Sequence, residues 1–302
     1  MRLPNLRTNT GKKAEVNMEF NLTDQFSSAL VEAEWLVENL ANPGIAILEV
    51  YLTDVVAGEF VGHIPNARRV NWKNLVWESK RREFADSKTL AQRLGQLGIA
   101  PEAEIVICGD PIQFGTYAFM ALKMAGNGKV RILNGGKARW LELGFPLSQE
   151  ESHFPIVERS SGSLNRAVIV GRDEILASLG STDVQILDVR SEDEYRGERV
   201  SPRAAVIDNG AQAWGRIPGA RHLVYESLLD KDGRFLDRDS LVAKFASAGV
   251  SLNRPVFLYC RLGHRASLAW FTLAEIVGFE LARVYDGSWT EWGSMVGMPI
   301  ER

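Results

Sequence analysis

PVFLYCRLGHRASLAWFTLAEIVGF, residues 255–279, holds a strand, a tight loop and a helix in immediate succession. Val256–Tyr259 is a short apolar run behind a proline and reads as a buried strand. From Ala266 onward, Leu268, Phe271, Leu273, Ile276 and Val277 follow a helical pattern. Only Cys260 to Arg265 lie between the two. A strand passing so quickly into a helix is the building unit of a parallel α/β sheet, whose chemistry gathers in loops at the carboxyl ends of strands.

Working outward, the same pattern occurs once earlier in the chain. IVIC at 105–108 answers FLY at 257–259, and RILNGGKARW at 131–140 answers RVYDGSWTEW at 283–292. Upstream, ILEV at 47–50 answers ILDV at 186–189 at an offset of 139, and GHIPNA at 62–67 answers GRIPGA at 215–220 at an offset of 153. The second copy therefore carries a 14-residue insertion between these blocks. Four blocks in one order mark a duplication. Two domains are expected, over 22–147 and 165–302, joined at 148–164 by a polar, Ser-rich linker. Residues 1–21 read as a loose tail, within which Met18 is an alternative start. At Ser27–Leu40, a serine cap and the spacing of Leu30, Trp35, Leu36 and Leu40 predict a helix.

Composition agrees with two globular units. The chain has 302 residues, 45% apolar and 24% charged, with 35 basic and 38 acidic side chains. These values exclude a disordered or membrane-spanning chain, and a net charge of -3 argues against nucleic-acid and anionic-membrane partners. The basic N-terminus lacks the apolar run of a secretory signal, so a cytoplasmic location is expected. Two cysteines, Cys108 and Cys260, cannot make a disulfide framework and suit a reducing compartment.

Cys260 is the chemical one. It leaves a strand just before a helix, where loop N–H groups and the positive helix end face it. Arg261, His264 and Arg265 add positive charge, and together these favour a nucleophilic thiolate over an inert buried thiol. Gly263 lets the loop curl, so that N–H groups from Leu262 through Ala266 to Ser267 can cradle a bound anion.

The CRLGHRAS loop, the downstream VYDGSWTEWG and the paired GHIPNA-type blocks resemble the tandem rhodaneses, the thiosulfate sulfurtransferases. That resemblance covers nearly the whole chain after the tail. It implies two similar α/β domains, each with a five-stranded parallel sheet flanked by helices, the second being catalytic. It also implies a persulfide on Cys260, formed from thiosulfate and discharged to a thiophilic acceptor such as cyanide or a thiol, with no cofactor and no metal. By the same resemblance Arg190, just after ILDV, binds the donor's sulfonate, with Arg261, Gly263, His264 and Arg265 as further substrate-binding residues. Leu262 stands where some animal members have a lysine, so Arg265 is expected to substitute. Asp188 is expected to pair with an arginine or orient the loop.

Rival chemistries remain. Phosphatases resembling this fold use a longer C-x5-R loop, whereas Cys260 to Arg265 is C-x4-R. Mercaptopyruvate sulfurtransferases are similar too, but typically read C-G-S-G-V-T, and two arginines in that place favour thiosulfate. A persulfide carrier with little turnover of its own is the other alternative.

The first copy has lost this equipment. Gly109 falls opposite Cys260, Asp110 opposite Arg261, Gln113 opposite His264, Phe114 opposite Arg265 and Tyr51 opposite Arg190. Cys108 falls opposite Tyr259 and reads as core. The first domain is expected to pack against the second and wall its entrance. His63 and His222 read as turn residues without a ligand cluster. Trp72, Trp140, Trp214, Trp289 and Trp292 read as packing, with Trp289 a candidate for the active-site mouth. LNGGK at 133–137 lacks the spacing of a phosphate loop.

Overall fold

The computed structural model describes residues 28–52, 62–150, 152–203, 205 and 207–302. The N-terminal tail with Met18, and Ser27 as a helix cap, lie outside these. The first domain contains β1 (Leu30–Val31), α1 (Ala33–Glu38), β2 (Ile45–Tyr51), β3 (Arg68–Asn71), α2 (Trp72–Val76), α3 (Ser87–Gln96), β4 (Glu104–Asp110), α4 (Ile112–Met124), β5 (Val130–Leu133) and α5 (Gly136–Glu142). The second contains α6 (Arg172–Ala177), β6 (Gln185–Asp188), α7 (Glu192–Tyr195), β7 (Arg221–His222), α8 (Arg238–Ser247), β8 (Val256–Tyr259), α9 (His264–Phe271), β9 (Ala282–Val284) and α10 (Ser288–Trp292).

Both sheets are parallel. Their orders are β1-β5-β4-β2-β3 and β7-β6-β8-β9, the same sequence of equivalent strands read from opposite ends. Central strands such as β8 are buried along their whole length, because helices cover both faces of a parallel sheet. The five-stranded expectation holds in the first domain. In the second, the place of β1 is taken by a one-residue parallel bridge, Ile169 to Val284. In the first domain the Asn134 N–H reaches the Val31 carbonyl and extends the ladder. Among the described residues the matching rung from the Asp286 N–H is not made, and the Asp286 carbonyl accepts from Arg82 of the other domain.

The helix expected over Ser27–Leu40 is shorter. Leu30 and Val31 pair with Ile132 and Leu133 as strand β1, and the helix begins only at Ala33. Sheet pairing overrides a weak local helical pattern here. At the other end of the chain, α9 begins at His264, two residues before the apolar period.

The two equivalent strand–helix units face each other. Helix α4 packs on α9 through the Phe119–Phe271 edge contact and a Thr116–Ser267 hydroxyl bond of 3.0 Å. One apolar core continues across the interface from Leu48 and Ile107 to Leu258 and Phe271. The linker is strapped to the first domain: Val157 N–H donates to Gly95, Arg159 donates to the Ile99 and Ala100 carbonyls, and the Arg68 guanidinium lies 3.6 Å over the Phe154 ring.

Candidate active site

Cys260 sits at the carboxyl end of β8 and is 1% exposed. Its sulfur accepts the Gly263 N–H at 3.1 Å. Gly263 reaches this pose at φ +92°, and a Cβ there would lie 2.3 Å from an Asp286 carboxylate oxygen, so glycine is required twice over. The loop is stapled from below by the DGSWTEW segment. Ser288 Oγ accepts the Cys260 N–H, the Trp289 N–H donates to the Cys260 carbonyl, and Thr290 donates to Arg261 O through both its N–H and its hydroxyl. Trp289 is thus wholly buried beneath the loop rather than at a mouth, its Nε1 donating to Ala213. Trp214, expected to pack, is 42% exposed.

The cations are arranged differently from their order in the sequence. Arg265 is buried, with its two Nη atoms 2.7 and 2.8 Å from the two carboxylate oxygens of Glu194. Burial disfavours its charge, but Glu194 more than compensates and holds it firmly protonated. Arg190 is fully buried as well, bonding Asp188 through Nε and Nη2 and the Gly215 carbonyl through Nη2, with its guanidinium 4.5 Å from the Trp289 ring centre. Nη1 of Arg190 is buried without a hydrogen-bond partner. Arg261, half-buried, donates to the Asn209 carbonyl and side chain, tying the loop to the insertion of the second copy. Two of the three expected arginines are therefore matched by buried carboxylates. Arg261 and Arg265 both interact electrostatically with Cys260, and the Gly263 N–H and the start of α9 face its sulfur.

Of the expected cradle, Gly263 donates to the sulfur. The Ser267 N–H is engaged by the Gly263 carbonyl, its hydroxyl by His264 O and Thr116, and the Leu262 carbonyl is gripped by Arg82 from the first domain. Ala266 is buried in the first turn of α9.

His264 faces away from solvent into an aromatic cage of the first domain, with Trp72, Phe114 and Tyr117 ring centres 4.2, 4.5 and 4.4 Å away. Burial, reinforced by Arg82, Arg265, Lys73 and Arg261, pushes the imidazole well below its ordinary value and keeps it neutral. The unfolded chain binds a proton near pH 6.5 that the folded chain refuses. Stability contributed here is full above that pH and falls below it, by up to about 1.4 kcal/mol per pH unit, until the folded-state value is reached. His264→Phe is expected to flatten this fall. Urea midpoints of both proteins on either side of pH 6.5 would show it, and parallel curves would refute it.

The first domain keeps the architecture with different side chains at the equivalent positions. Cys108 is fully buried in β4 and its thiol is pushed up by burial. Where Asp188 pairs with Arg190, Glu49 pairs with Lys137 at 2.8 Å. Lys137 occupies the position equivalent to Trp289, so the LNGGK segment closes a structural ion pair. His63 bonds the Ile64 and Glu150 carbonyls, and His222 bonds the Arg190 carbonyl.

Glu194, Asn209, Arg82, Tyr117 and Asp286 are site residues that the sequence reading did not single out. Glu194 had a local signal, since Ser191 and Glu194 form a helix capping box. Arg82 had none.

A model of the rhodanese-like domain matches residues 32–143 and again 172–295. The chain belongs to the rhodanese family. It is 32% identical over 277 residues to the sulfur carrier protein TtuD of Thermus thermophilus, covering 90% of this chain and 96% of that one. It is 33% identical to a Mycolicibacterium smegmatis protein named "putative thiosulfate sulfurtransferase", covering 91% and 98%. Among solved structures, the 3-mercaptopyruvate sulfotransferase SseA of Escherichia coli superposes with a TM-score of 0.73 at 25% identity, over 86% of this chain and 98% of that one. EanB, captured as a cysteine persulfide with ergothioneine, superposes at 0.78 with 25% identity, over 92% and 72%. This rhodanese is a sulfurtransferase by family. Among the described residues no helix is long and apolar enough to cross a membrane.

Proposed function

We propose that this rhodanese moves the outer sulfur of thiosulfate to a thiophilic acceptor through a persulfide on Cys260. The observation that carries the reading is the Gly263 N–H directed at the Cys260 sulfur, at a strand end that opens onto the start of α9. The thiolate attacks the outer sulfur of thiosulfate, an S–S bond forms, and the sulfur–sulfonate bond breaks with its electron pair leaving on sulfite. A nucleophile such as cyanide then takes the outer sulfur, departs as thiocyanate, and returns the thiolate. Two anions meet in the first step, so donors must face the sulfonate. Arg261 and the unpartnered Nη1 of Arg190 fill that role in this proposal, while Arg265 acts from within its Glu194 pair to hold the loop.

The test is mass spectrometry of the intact protein before and after thiosulfate. One added sulfur atom per chain, mapped to Cys260 and released by cyanide as thiocyanate, is expected. Absence of the adduct with thiosulfate but its presence with 3-mercaptopyruvate would transfer the assignment to that donor. An adduct formed only from a donor protein, with negligible turnover of free thiosulfate, would make the chain a sulfur carrier.

A further inference from the structure

Arg82 belongs to the domain without a nucleophile, yet it reaches the loop that has one. Its Nη2 donates to the Leu262 carbonyl at 3.1 Å and to the Asp286 carbonyl at 2.7 Å, and its Nη1 to the Asp286 carboxylate at 3.2 Å. The carboxylate is steadied from the same domain by the Tyr117 hydroxyl at 2.7 Å, itself held by Trp77 Nε1 at 2.9 Å. A cleft of about 490 Å³ borders this brace, lined in part by Arg82, Arg172, Asp286 and Glu291, and Cys260 is not among its lining residues.

The Leu262 carbonyl and the Gly263 N–H belong to one peptide unit. In a planar trans peptide these two groups point in opposite directions. Arg82 holds the carbonyl end, and the N–H end meets the Cys260 sulfur at 3.1 Å. Gly263, with no Cβ and a left-handed φ, offers the lowest resistance of any residue to rotation of this plane. A grip on the carbonyl is therefore what keeps the N–H aimed.

We infer that Arg82 is a positioning residue for sulfur transfer, supplied across the interface by the silent domain, which aims the Gly263 N–H at the sulfur of Cys260. This rests on Cys260 being the sulfur-carrying nucleophile. The N–H matters most when an acceptor attacks the outer sulfur and negative charge returns to the cysteine sulfur. Losing the grip leaves the donor present but unaimed, so the discharge step slows while donor binding is little changed.

The experiment preloads wild-type and Arg82→Ala proteins with sulfur, then mixes each with cyanide and follows thiocyanate release in a single turnover. Arg82→Ala is expected to discharge about tenfold to a hundredfold more slowly, with the thiosulfate KM changed far less than kcat, and to recover in low, non-denaturing guanidinium ion. A discharge rate within about twofold of wild type in the folded variant would overturn the inference, leaving Arg82 as interdomain cement alone. Should Arg82→Ala not fold, Arg82→Lys keeps a charge beside Asp286 without the fork. Its discharge is expected to be slower than wild type, and an unchanged rate overturns the proposal equally. A wild-type protein that takes up no sulfur at Cys260 would instead sink the reading of the nucleophile, before Arg82 is tested.

Discussion

Cys260→Ser is expected to abolish sulfur transfer, with the rate of thiocyanate formation falling by about a thousandfold or more. The reason is chemical rather than structural. A serine hydroxyl at this position keeps the backbone bonds to Ser288 and Trp289, but it is not ionised near neutral pH and has no sulfur on which to carry the transferred atom. The variant should therefore fold, bind donor and show no added sulfur by mass. The internal control is Cys108→Ala. That thiol is buried inside β4 with its ionisation suppressed, so its loss is expected to leave transfer intact. Full activity in Cys260→Ser, or its loss in Cys108→Ala without unfolding, would reverse the assignment of the two cysteines.

The second large effect is on stability. Glu194→Gln is expected to cost about 3–5 kcal/mol, because Arg265 would be left as an uncompensated charge in the core. For a chain of this size that corresponds to a drop in melting temperature on the order of 10 °C. Both Nη atoms of Arg265 depend on this carboxylate, which is itself fully buried and also accepts from Ser191. Although burial acts to raise the carboxyl of Glu194, its bonds to Arg265 outweigh that and hold it below the usual range. Its contribution is present above the unfolded value of about 4.3 and is lost as pH falls through the folded one. Replacing both partners by apolar residues, Glu194→Leu with Arg265→Met, is expected to restore most of the lost stability. If Glu194→Gln melted like wild type, Arg265 would have to be finding another anion or water, and the loop would be less tightly held than the distances imply.

These two results bear on different kinds of information in the chain. The duplication, the parallel α/β class and the inequality of Cys260 and Cys108 could all be read locally. Apolar runs of period two or 3.6 are written within a dozen residues, and Cys260 stands between one such run and the next. Along the chain, Arg261, His264 and Arg265 stand as positive charges around a sulfur, and here local information ends. Arg265 meets Glu194 across 71 residues of chain, Arg82 meets Leu262 across 180, and His264 enters a cage built from the other domain. Whether a cation is free, neutralised or stripped of its proton depends on which carboxylates and aromatic rings the fold brings within a few ångströms. Thus the sequence by itself determined where the two strand-to-helix loops stand and which of them carries a cysteine with basic neighbours. Only the tertiary structure decided what surrounds it, because electrostatic pairing and peptide orientation are properties of distance in space and leave no periodic trace along the chain.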